Sequence, residues 1–153
     1  MARTRSRKAN VTITESDFLP DLLERIRGLS KNEVHIGMQG NAELAMVAAV
    51  HEFGSAKMKI PARSPFRIGK KRASAAISKV ARVGVNQVAR GEGTAEALFE
   101  QIGVVGQDKV RKSFNRITTP ALSINYLHFK EGNKILIDDA ELRDSVTHVV
   151  VPK

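Results

Sequence analysis

The chain has no cysteine, no tryptophan and a single tyrosine among its 153 residues. Without cysteine, disulfides and thiolate metal sites are excluded, and the composition fits a reducing compartment. Six Phe and one Tyr are the only aromatics, so stacking on unpaired bases is a poor main mode of binding. Long apolar runs are missing as well. None approaches the roughly 18 residues needed to cross a bilayer, and no membrane partner is expected. Residues 1–9 are basic but no apolar stretch follows them, so a secretory signal is not expected.

Acidic residues are absent from one long stretch. Between Phe53 and Gly91 there is no Asp or Glu, but there are ten Lys or Arg. That segment carries +10, more than the +9 of the whole chain. Residues 1–14 add +4 through Arg3, Arg5, Arg7 and Lys8, and the remaining segments are near balance or acidic. So localised an excess projects a positive field that favours a polyanion or an acidic protein face. The competing account is a solvated helix face whose Lys and Arg stems lie over apolar neighbours.

A hydrophobic content of 42% is enough for a real core at this length. The expected organisation is a flexible basic arm over residues 1–14 and a single α+β domain over residues 15–153. Helical spacing predicts a first helix over Asp17–Leu29, with Phe18, Leu19, Leu22, Leu23, Ile26 and Leu29 on one stripe. Glu33–Met38 alternates as a short strand. Asn41 is placed to cap a helix over Ala42–Phe53, which Gly54 stops. Ser64-Pro65 reads as an N-cap and first helical residue for a long helix from Phe66 to Arg90. Thr94 caps another through Ile117, and Gly103 and Gly106 in it suggest close packing against a second helix. Ile135–Ile137 and Val146–Val151 read as strands, with a short helix over Ala140–Asp144. The predicted fold is therefore α+β, a small, mostly antiparallel sheet packed against two long helices.

Nothing in the sequence argues for an enzyme. His51-Glu52 lacks the second His, four residues on, that a zinc-protease helix needs; Ser55 stands there. Asp138, Asp139, Glu141 and Asp144 form an acidic cluster that is more simply read as helix capping than as a metal or acid–base site. No phosphate-cradling glycine pattern and no nucleophile elbow is present, and no cofactor is expected.

Three segments, in order, resemble a family. Val47-Ala48-Ala49-Val50-His51-Glu52-Phe53-Gly54 is similar to the A-x-x-H-E-[FY]-G-[TS] helix end of the tailed-phage virion morphogenesis proteins of the neck and tail. Ile60-Pro61-Ala62-Arg63-Ser64-Pro65-Phe66-Arg67 looks like that family's I-P-A-R-P-F loop before a long helix. Leu136-Ile137-Asp138-Asp139-Ala140-Glu141-Leu142-Arg143-Asp144-Ser145-Val146 resembles its L-[IV]-D-T-G-x-L-R-x-S-[IV] run. The departures are Asp139-Ala140 in place of Thr-Gly, and Ser64-Pro65 in place of a bare Pro.

The resemblance implies a structural virion protein that completes the tail and joins it to the head as an oligomeric ring around the DNA channel. It implies a homo-oligomer, most simply a hexamer, made in the host cytoplasm. Its neighbours would be an adjoining head-completion ring and a tail terminator or tail tube, with genomic DNA in the channel. A tail terminator or head-closure protein is the near alternative. A non-specific nucleic-acid-binding protein is the alternative of a different class.

The structural motif residues are then His51, Glu52, Phe53, Gly54, Ile60, Pro61, Arg63, Asp138, Leu142 and Ser145. Physically they read as a clasp in which Arg63 pairs with Glu52 or with a carbonyl near Gly54. The residues expected to face DNA or an acidic partner are the arm cations with Lys57, Lys59, Arg67, Lys70, Lys71 and Arg72.

Overall fold

The computed structural model describes residues 2–7, 11–130, 132, 134–137 and 140–153, with side chains described from Asp17 onward. Asp138, Asp139 and Lys8 lie outside the described residues. In the segment read as a basic arm, strand β1 (Ala2–Arg7) pairs antiparallel with β2 (Val11–Ser16). The β-branched run Val11-Thr12-Ile13-Thr14 suits such a hairpin. It forms a sheet of its own.

The next elements are α1 (Leu19–Gly28), β3 (Asn32–Met38), α2 (Ala42–Phe53), α3 (Pro65–Arg90) and α4 (Ala95–Arg116). Two single-turn helices, α5 (Ile124–Leu127) and α6 (Glu141–Asp144), precede the last strand, β4 (Val146–Pro152). The α+β architecture follows: β3 pairs antiparallel with β4, from Asn32 opposite Pro152 to Met38 opposite Val146, and the pair packs on α4, which packs on α3. Ile135–Ile137 is not a third strand. It forms a turn, and Ile135 and Leu136 fill the core from there. Short apolar runs do not distinguish strand from buried turn.

The capping expected at Asn41 and Thr94 is present. Asn41 Oδ1 accepts from the N–H groups of Glu43 and Leu44 at 3.0 and 3.1 Å, and Thr94 Oγ1 accepts from that of Ala97 at 3.2 Å. The core is centred on Val110, Phe114, Ile117, Leu136 and Val146, with Phe66 set edge-on to Phe114 at 5.8 Å.

The glycines of α4 face chiefly the sheet, and Gly106 also lies against Ile77 of α3. A Cβ at Gly103 would strike the His148 ring, and one at Gly106 would strike Ile36. Helix-to-helix proximity comes mainly from α3, where a Cβ at Gly69 would lie 2.7 Å from the Val110 backbone. The Ser113 hydroxyl lies 2.6 Å from the Pro65 carbonyl, which places the end of α4 beside the start of α3. The two long helices are therefore antiparallel.

Helix α1 forms as periodicity predicts, but its stripe is not covered. Phe18 and Leu19 are 72% and 58% exposed, and α1 has no buried residue. It sits at the far end of the helix pair, where the Arg25 guanidinium reaches the Ala89 carbonyl.

Candidate functional site

The three family-like segments converge on one cavity. It measures about 640 Å³ and lies between α2, the Ile60–Arg63 loop, the chain after Pro120 and the start of α6. His51, Ile60, Pro61, Arg63 and Leu142 all line it. Phe53 does not contribute; it is 82% exposed on the outside.

The clasp exists with different partners from those expected. Arg63 is only 6% exposed and does not meet Glu52. Its Nε and Nη2 donate to the carbonyls of Pro120 and Ala121, both at 3.1 Å. Burial pushes its guanidinium below the usual range for arginine. The backbone N–H groups of Arg63 and Ser64 donate to the His51 carbonyl at 2.8 and 3.0 Å, which ties the loop to the end of α2. Ser55 and Ile60 form a β-bridge that closes the loop between them.

Glu52 has taken the role assigned to Ser64. Its Oε2 and Oε1 accept from the N–H groups of Phe66 and Arg67 at 2.9 and 3.1 Å, so it caps α3 from another helix. A carboxylate there satisfies two orphan donors and complements the positive helix end. Ser64 sits at φ 45° and offers no side-chain cap; its hydroxyl donates to the Glu52 carbonyl at 2.8 Å and accepts from Arg67 Nη2 at 2.9 Å. In the third segment, Ser145 Oγ donates to the Leu142 carbonyl at 3.0 Å and closes the α6 turn.

His51 Nδ1 is buried without a hydrogen-bond partner among the described residues. Burial lowers the pKa of this imidazole from 6.5, and the charges of Arg63 and Lys130 lower it further. A neutral His51 in the folded state contributes stability that is full above pH 6.5 and is lost as pH falls through the lowered value. Acidification from about pH 7.5 to about pH 5 should therefore lower the urea midpoint more in the parent than in His51→Gln. Equal losses in both would show that His51 is not the titrating group.

The basic residues divide. Lys59 reaches the cavity rim and Lys57 lies exposed on the loop. Arg67 is engaged with Ser64, while Lys70 and Lys71 stand exposed on α3. Arg72 lines a smaller notch with Lys109, Lys112 and Arg116 of α4. Sequence reasoning missed those three because residues 92–153 are nearly neutral in sum; their spacing on one helical stripe was the available signal.

Among the described residues no three His, Cys, Asp or Glu converge as metal ligands, and no helix is long and apolar enough to cross a membrane. Comparison of the chain with protein-family models, with curated proteins and with solved structures finds no match.

Proposed function

We propose that this chain is a structural component of the neck of a tailed phage, completing the tail and joining it to the head as a homo-oligomeric ring around the DNA channel. The observation that carries the reading is a pair of uncovered apolar faces at opposite ends of the helix pair. At one end α1 exposes Phe18, Leu19, Leu23 and Ile26. At the other, beside the clasp, α5 and its flank expose Ile124, Leu127 and Phe129, at 75%, 55% and 86%. Helix α3, with 26 residues, separates them by about 39 Å at 1.5 Å per residue.

Apolar patches of this kind mark protein contacts. Two different patches at opposite ends of the helix pair favour head-to-tail association, which closes into a ring when the rotation permits. The convergence of all three family-like segments on one clasp supports the same reading. A tail terminator or head-closure ring would use the same surfaces.

Leu23→Glu and Leu127→Glu are the test. Each places a charge on one patch only, so each variant should melt within about 2 °C of the parent, since surface changes move stability by about 0.5 kcal/mol or less. Neither should assemble into particles. Normal particle yield from both variants, or virion images showing one isolated copy, would refute the ring.

A further inference from the structure

We infer that the notch between the N-terminal end of α3 and the C-terminal end of α4 is a phosphate site that seats the backbone of double-stranded nucleic acid. The notch has a volume of about 220 Å³, room for a phosphate group, and four cations line it: Arg72 from α3, and Lys109, Lys112 and Arg116 from α4. Arg72, Lys109 and Arg116 have no hydrogen-bond or ion-pair partner among the described residues. Lys112 holds Asp108 at 2.7 Å across one helical turn. The Ser113 hydroxyl at the base is turned to the Pro65 and Val110 carbonyls, so the notch presents charge.

Helix electrostatics do not explain the arrangement. Cations near the end of α4 complement its dipole. Cations at the start of α3 oppose it, and Arg67, Lys70 and Lys71 stand there beside Arg72. Because the helices are antiparallel, both groups gather at one end of the pair, eight cations in all, of which Arg111 is held by the Asp144 and Val146 carbonyls. Among the described carboxylates, Asp108 is bonded to Lys112, Glu52 is occupied by the N–H groups of α3 and Asp144 is paired with Arg143. The repulsion among the remaining cations would be relieved by an anion from outside.

The number of charges decides which anion. A single inorganic phosphate neutralises two of them. Duplex DNA brings one phosphate for roughly every 1.7 Å of axis and can engage the notch together with Lys70 and Lys71 on its flank. No aromatic residue lines the notch, which accords with backbone contact without base stacking. The inference stands on the notch alone and holds whether or not the chain forms a ring.

The test uses the full chain and a fluorescent duplex of unrelated sequence, with anisotropy measured across a salt series. Lys109→Gln with Arg116→Gln should weaken binding about ten-fold near 100 mM salt and reduce the salt slope by about 1.8, at 0.9 for each phosphate released. Lys57→Gln with Lys59→Gln removes the same charge elsewhere and should weaken binding by about two-fold or less. Thermal melts establish that both variants are folded. Equal losses from the two variants would show that net charge, and not the notch, does the binding. Absence of duplex binding by the parent would overturn the inference, as would inorganic phosphate shifting the amide resonances of Lys109 and Lys112 while duplex does not.

Discussion

Arg63→Ala is expected to lower the melting temperature by about 10 °C. The side chain makes two charge-assisted hydrogen bonds, to the carbonyls of Pro120 and Ala121, from a position that is 6% exposed. Such bonds contribute about 1.5 to 3 kcal/mol each, so truncation should cost roughly 3 to 5 kcal/mol. A domain of this size loses about 2 to 4 °C per kcal/mol. The loss also loosens the segment after Pro120, because these two bonds tie the loop to carbonyls 57 and 58 positions along the chain. Arg63→Lys keeps the charge but cannot reach both carbonyls in one plane, so it should recover less than half of the lost stability. Melting of Arg63→Ala at the parent's temperature would mean that the clasp carries no stability.

Local signals were legible where the chemistry is local. Asn41 and Thr94 cap the helices that follow them because a short polar side chain needs only its own next turn to act. The ends of α2 and α3 were legible for the same reason, from Gly54 and Gly91. What failed was choice among distant partners. The sequence pairs Arg63 with Glu52 because they are near in the chain and opposite in charge. The fold brings α3's N–H groups to Glu52 and the Pro120 and Ala121 carbonyls to Arg63, so the two groups together make four bonds where a bidentate pair would make two. Ser64 lost its capping role once Glu52 occupied the same donors. Gly103 and Gly106 were legible as contact points, but spacing alone does not say whether a helix or a sheet approaches. The notch was hidden because its cations come from two helices, and only the antiparallel packing places Arg72 beside Lys109 and Arg116.

The exposed stripe of α1 is the opposite kind of discrepancy. Periodicity identified the helix correctly, yet the face it marks is not buried by this chain. A stripe strong enough to define a helix and left open to water is best satisfied by another molecule, which is why it bears on function more than a buried stripe would.

Gly54→Ala should be the most damaging substitution at any glycine of the loop. Gly54 sits at φ 78° and ψ 179°, a region essentially reserved for glycine. A Cβ there would lie 2.8 Å from the Ile60 carbonyl oxygen and 2.9 Å from the Ala62 nitrogen. Both are backbone atoms held by the Ser55–Ile60 bridge and by the His51 carbonyl's bonds to Arg63 and Ser64, so they cannot yield as a side chain would. Backbone strain of about 1 to 3 kcal/mol adds to overpacking of similar size, a total of roughly 3 to 5 kcal/mol. The expected fall in melting temperature is about 10 to 15 °C as the loop is displaced from the cavity. Gly40→Ala separates the two contributions. Gly40 also has positive φ, at 88°, but a Cβ there meets nothing within 4 Å, so that variant carries strain alone and should lose only a few degrees, about 1 kcal/mol. If Gly54→Ala melts with Gly40→Ala, the loop is free to move aside, and the tight union of the α2 end with the Ile60–Arg63 loop is not what holds the clasp together.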